Sequence, residues 1–164
     1  MKRLYVIRHA KASALYGEGA DHERPLAPQG KRQLLEMKDR IRAEGAFQAA
    51  IYSSSAVRAR ETVMGLTPTA RHADVHIEDA LYTFDYMVLV DWLRCRSYEA
   101  DITIVGHNPA IEDLAFYLCG SAAPDRVATC AFLHIALAID DWVKLARGTG
   151  ELITYVRPAK RTKE

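Results

Sequence analysis

Four times along this chain a short apolar run, rich in β-branched and aromatic residues, ends in a turn and gives way to a stretch whose apolar residues recur at helical spacing. That alternation constrains the fold more than any other feature. Runs of this kind read as strands buried on both faces, and strand–helix alternation places them in a parallel sheet covered by helices. Leu4-Tyr5-Val6-Ile7 is the first strand. Pro25-Leu26-Ala27-Pro28-Gln29-Gly30 suits a turn into a helix from about Gln29 to Glu44, with Leu34, Leu35, Met37 and Ile41 on its apolar face and Gly45 where a left-handed cap is wanted. Ala49–Tyr52 is a second strand, ending in the hydroxyl-rich turn and N-cap Ser53-Ser54-Ser55 before a helix carrying Arg58, Thr62, Val63 and Leu66. Asp74–Glu78 reads as a strand, and Asp85 to about Arg96 as a helix with Val88, Leu89, Trp92 and Leu93 on its apolar face. Asp101–Val105 is a fourth strand, followed by Gly106-His107-Asn108-Pro109 and a helix from Ala110 to Leu118 closed by Gly120. Cys130–Ile139 and Leu152–Arg157, joined through Trp142–Leu145 and Gly148-Thr149-Gly150, read as closing antiparallel strands. The expected fold is α/β in three layers, a mostly parallel central sheet flanked by helices.

With 164 residues, 49% hydrophobic and 26% charged, the chain can bury a real core as one domain over residues 1–164. A net charge of +1 gives no reason to expect nucleic acid or an anionic membrane as a partner, so any electropositive character is local. The basic tail Arg157–Lys163 reads as a solvated terminus. Cys95, Cys119 and Cys130 are odd in number and widely spaced, which fits reduced residues better than a disulfide framework. With no apolar leader or membrane-spanning run in the sequence, a cytoplasmic location is expected.

Three of the strands end in polar residues suited to an anion. Arg8-His9 follows the first, Ser53-Ser54-Ser55 with Arg58 the second, and Gly106-His107-Asn108 the fourth. The carboxyl ends of strands in an open parallel sheet border its ligand crevice, so a parallel arrangement brings all three to one edge. Arginine forks match phosphate oxygens, and helix N-termini add backbone N–H groups and positive potential. Two guanidiniums and two imidazoles at such an edge make a cage for a tetrahedral dianion, which points to phosphoryl chemistry.

The same residues carry a family resemblance. Arg8-His9-Ala10 resembles the Arg-His-Gly core of the histidine phosphatase superfamily, the phosphoglycerate-mutase-like fold. Arg24-Pro25-Leu26 with Gly30 resembles its Pro-Leu-x-x-x-Gly lead into a helix, and Ser54-Ser55-Ala56-Val57-Arg58-Ala59-Arg60-Glu61-Thr62 resembles its Ser-Pro-x-x-Arg-Ala-x-x-Thr segment. Val105-Gly106-His107-Asn108-Pro109 resembles its second-histidine turn. These blocks span most of the chain in the family's order, and their short spacing is most like the SixA-type phosphohistidine phosphatases. The resemblance implies that His9 is a nucleophile forming a phosphohistidine intermediate that water hydrolyses, and that Arg8 and Arg58 clamp the equatorial oxygens. It implies that His107, as a cation, donates a further hydrogen bond to the phosphoryl group. Ser54 is a further substrate-binding candidate and Arg24 a rim contact for an anionic substrate. No metal and no cofactor are implied.

Two departures from the family pattern, Ser55 for a common proline and Ala10 for a common glycine, remove no catalytic group. A third bears on the substrate. Between Glu78 and Asp85, mutases and many broad phosphatases carry a glutamate that protonates an alkoxide leaving group; here Thr83 takes its place. Asp79 and Asp85 read as helix-start or surface carboxylates, though either could substitute. A phosphorylated imidazole can be protonated on its outer nitrogen by solvent before it leaves, so it tolerates an enzyme without a positioned acid. The expected partner is therefore a phosphorylated protein carrying phosphohistidine. A small phosphorylated metabolite, handled by a phosphomonoesterase or mutase, is the alternative enzyme reading. A non-catalytic phosphoprotein-binding module is the alternative from another class, and retention of both histidines argues against it. His72, Asp74 and His76 read as surface residues rather than a metal site, and His22 and Glu23 as loop residues that could contact substrate or supply an acid. His134, Trp92 and Trp142 read as packing.

Overall fold

The alternation is realised as four strand–helix pairs followed by two further strands. The computed structural model describes residues 1–14 and 21–160; part of the first loop, 15–20, and the end of the basic tail, 161–164, lie outside the described residues. Strand β1 (Lys2–Arg8) leads to helix α1 (Pro28–Ala43), β2 (Ala50–Ser54) to α2 (Val57–Leu66), β3 (Val75–Glu78) to α3 (Tyr86–Arg94), and β4 (Ile102–Gly106) to α4 (Ala110–Cys119). Strands β5 (Phe132–Leu137) and β6 (Gly150–Val156) complete the chain's regular structure. All six form one sheet in the order β3-β2-β4-β1-β5-β6. The first four in that order are mutually parallel, whereas β5 runs antiparallel to β1 and β6 antiparallel to β5. This is the expected three-layer α/β fold with a mostly parallel sheet.

The continuous apolar run of β1 follows from its central place. Leu4 and Val6 face the layer of α3 and α4, while Tyr5 and Ile7 face the layer of α1 and α2. None of the four is more than 2% exposed. Full burial of such side chains contributes about 1.5–3 kcal/mol each, so a polar residue at any of these positions is costly. On α1, Leu34, Met37 and Ile41 point inward, but Leu35 is 68% exposed because it falls one residue off the buried stripe. Val88, placed on the apolar face of α3 by spacing, is likewise exposed.

Two glycines answer geometric demands. Gly45 sits just beyond α1 with φ of 89°, the left-handed conformation expected there. Gly30 lies where a Cβ would come within 2.2 Å of the Lys11 carbonyl oxygen, so the first turn of α1 packs directly on the backbone two residues beyond His9. The expected serine cap differs in detail. Strand β2 continues through Ser53 and Ser54, and Ala56 occupies the cap position of α2. Trp142–Lys144 forms a short 3-10 turn.

Candidate active site

Parallel pairing sets the carboxyl ends of β1, β2 and β4 side by side. Arg8 pairs with Gly106, and Ser53 with Val105, so His9, the serines and His107 emerge at one level. Arg58, in the first turn of α2, reaches between the two imidazoles. Its Nε donates to His9 Nε2 at 3.3 Å and one Nη to His107 Nδ1 at 3.2 Å. A guanidinium can only donate, so both of those ring nitrogens are acceptors. The ring hydrogens then lie on the opposite nitrogens: His9 Nδ1 donates to the Ala10 carbonyl at 2.7 Å, and His107 Nε2 to Ser54 Oγ at 2.7 Å. His9 thus presents a lone pair on Nε2, held in one tautomer by the Ala10 carbonyl.

Burial decides the charge of these rings. His9 and His107 are 6% and 1% exposed, and both are pulled down to about 3 from the ordinary 6.5. Desolvation is the largest cause for each; Arg58 and Arg8 add to it at both, and His9 itself adds to it at His107. In the free protein the His107 ring is therefore neutral.

The surrounding contacts fix the cage. Arg8 donates to the Val127 carbonyl at 2.9 Å, and its buried Nε meets no acceptor among the described residues. Asn108 also donates to that carbonyl, and Glu112 accepts from both Asn108 and the Val127 N–H, tying the 127 loop to α4. Thr62 Oγ1 accepts from the Ala10 N–H at 2.9 Å and donates to the Arg58 carbonyl at 2.7 Å, which locks the end of β1 to α2.

Of the residues singled out in the sequence, Arg8, His9, Arg58 and His107 come together. Ser54 is fully buried behind His107 and accepts from its ring and from the Ala56 N–H, so it orients a ring. Arg24 stands at the rim in an ion pair with Asp21 at 3.2 Å. Asp85 is spent as the N-cap of α3, accepting from the Met87 N–H, and Asp79 is exposed at the start of a 3-10 turn. His22 bonds Ser55 Oγ through Nε2 at 2.9 Å, which gives this loop residue a place beside the site. His72 meets the Thr67 carbonyl and His76 stacks on Tyr52, so the two histidines are engaged separately. Among the described residues no three His, Cys, Asp or Glu side chains group as a metal site, and no helix is long and apolar enough to cross a membrane. The three cysteines are free thiols.

Sequence reasoning passed over Asp21 and Tyr82. The Asp21 backbone carbonyl accepts from Arg58 Nη1 at 2.8 Å and its Oδ2 from Nη2 at 2.9 Å, while the Tyr82 hydroxyl donates to the same Oδ2 at 2.6 Å. Burial opposes ionisation of Asp21, but the bonds from Tyr82 and Arg58 and the charges of Arg58 and Arg24 hold its carboxyl below the ordinary value. The one available signal was its spacing from Arg24, since Asp-x-x-Arg across a single turn favours an ion pair.

Residues 4–92 match the family model of the histidine phosphatase superfamily (branch 1). The protein ML1117 of Mycobacterium leprae is 32% identical over 93% of this chain and 99% of its own length. The chain belongs to the histidine phosphatase superfamily, branch 1. It is accordingly a phosphatase. The protein Rv1276c of Mycobacterium tuberculosis is 34% identical over 73% of each chain. Among solved structures, the protein histidine phosphatase SixA complexed with tungstate superposes with a TM-score of 0.74 at 18% identity, over 94% of this phosphatase and 96% of SixA. A phosphoserine phosphatase of Entamoeba histolytica gives 0.65 at 16% identity over 98% of both chains. The fold of this phosphatase is thus SixA-like and phosphoglycerate-mutase-like.

Proposed function

We propose that this phosphatase removes the phosphoryl group from phosphohistidine on a protein, through a phosphorylated His9. The observation that carries the reading is the fixed tautomer of His9. Its Nδ1–H is committed to the Ala10 carbonyl, and the Nε2 lone pair lies beside Arg58. The Nε2 pair attacks phosphorus in line as the substrate's P–N bond breaks, and water then hydrolyses the phosphorylated ring, which divides one difficult step into two. Arg8 and Arg58 bind the equatorial oxygens, so most of the catalysis is positioning and electrostatic stabilisation. A dianion between these groups favours the charged form of His107, which then donates to it, so the cation expected from the family resemblance belongs to the complex.

Substrate choice follows from the missing acid. Thr83 stands where an alkoxide-protonating glutamate is common, and Asp85 is occupied as a helix cap. The likeness to SixA, a protein histidine phosphatase, supports the same choice. We place the protein in the cytoplasm as one domain whose partner is a phosphorylated protein. Steady-state rates on a phosphohistidine protein and on a panel of small phosphate monoesters test this. The reading expects the protein substrate to be strongly preferred, and a preference for the monoesters would replace it with a metabolite phosphatase.

A further inference from the structure

The mouth of the site has a chemical character of its own. Asp21, with its side chain 44% exposed, presents a carboxylate at the solvent side of Arg58. Around it stand aromatic rings: Tyr82 lies 4.9 Å from His22, 5.4 Å from His107 and 5.8 Å from Phe84, and Phe84 lies 5.8 Å from His107 while remaining 49% exposed. An exposed phenylalanine beside a phosphoryl cage contributes nothing to holding phosphate. It suits whatever the phosphoryl group is attached to.

We infer that Asp21, with the rings of Tyr82 and Phe84, recognises a phosphoimidazolium and so selects imidazole as the leaving group. The inference rests on the phosphohistidine reading above and adds the residues that recognise the departing ring. The substrate enters as a phosphoimidazolium, with a proton from solvent on its outer nitrogen. Asp21 accepts the hydrogen bond from that N–H, and the rings face the flat cation, which aromatic faces attract. When the P–N bond breaks, its electron pair stays on the departing nitrogen, giving a neutral imidazole that keeps the outer proton. His9 gains the phosphoryl group on Nε2 and keeps its Nδ1 proton, so the step needs no net proton transfer. A carboxylate disfavours an alkoxide leaving group at the same place, because like charges repel there.

The groups that face Asp21 are Arg58 from α2, Arg24 from its own turn, Tyr82 from the approach to α3, and His107 from the end of β4. The two arginines and the tyrosine keep the carboxyl ionised around neutrality, as its lowered pKa requires. An ionised Asp21 next to the outer N–H raises the affinity of that nitrogen for its proton and extends activity to higher pH.

Asp21→Asn tests this, because the amide oxygen can still accept from Arg58 and Tyr82 while the charge is removed. Wild type and variant are compared on free phosphohistidine, phosphoramidate and phosphoserine, with pH profiles of kcat/KM. The inference expects the ratio of P–N to P–O turnover to fall about ten-fold, the scale of a lost charge-assisted hydrogen bond. It also expects the alkaline limb on phosphohistidine to move to lower pH. Phe84→Ala is expected to lower phosphohistidine turnover more than phosphoramidate turnover, since only the former carries a ring. An equal loss on all three substrates makes Asp21 a positioning residue for Arg58 and overturns the inference while the function stands. Wild type showing no P–N preference overturns the substrate reading itself.

Discussion

At the amino ends of β1, β2 and β4 a cleft of about 610 Å³ is lined by Arg3, Arg42, Glu44, Glu99 and Asp101, while at the carboxyl ends of the same strands Arg8, His9, Arg58 and His107 converge. Both edges are polar. The charges of the first, however, serve the protein: Glu99 accepts from Tyr52, Asp101 from the Arg3 N–H, and Glu44 meets His134. Three carboxylates against two guanidiniums there repel a phosphoryl dianion. At the other edge Asp21 is the carboxylate bonded to Arg58, and the imidazoles are desolvated and neutral. The balance of charge at the strand ends therefore separates the two edges.

The sharpest way to break this contrast is at the guanidinium that joins the two imidazoles. Arg58→Ala is expected to lower kcat/KM by about 10³, the scale on which a cationic clamp acts in phosphoryl transfer. Steady-state kinetics on the preferred substrate checks it.

The second expectation concerns pH. His9 and His107 titrate near 3 in the native protein against 6.5 ordinarily, so between those values the unfolded chain binds protons that the native state does not. Their neutrality favours the fold fully above about 6.5, and stability is lost as pH falls toward 3. Thermal melts across this range are expected to fall more steeply for wild type than for a His9→Gln, His107→Gln double variant.

A smaller effect is expected at the brace behind the nucleophile. Thr62→Val keeps the shape but leaves the buried Ala10 N–H without its acceptor, at a cost of about 1–3 kcal/mol, readable in urea denaturation. Least of all is expected at the opposite edge. Arg3→Ser changes stability by no more than about 0.5 kcal/mol, as at an ordinary surface position, and leaves turnover at the wild-type level. A large loss of activity there would remove the distinction between the two edges.

What was legible in the sequence was whatever burial forces into a local pattern. Leu4-Tyr5-Val6-Ile7 announces a strand covered on both faces, and once the strands are parallel their ends must meet, which places His9 and His107 together. Leu35 and Val88 misled because a surface tolerates single apolar residues, so spacing alone overcounts the buried stripe. Ser54 sits deeper than the expected turn because β2 runs on through Ser53 and Ser54, past its apolar residues, which buries the hydroxyl. Asp21, Tyr82 and the Val127 carbonyl were out of reach for a different reason. Arg58 draws on Asp21 37 residues away, Tyr82 reaches the same carboxylate across 61, and Arg8 draws on Val127 across 119, through loops whose paths no local pattern records.

The central claim is that the carboxyl edge carries out covalent chemistry on His9, and trapping the intermediate tests it most directly. The phosphatase is mixed with a labelled phosphoryl donor, quenched within a turnover, and assayed for protein-bound phosphate that is labile in acid and stable in alkali. Wild type is expected to carry the label and His9→Ala to carry none. Label that persists on the His9→Ala protein would contradict the account.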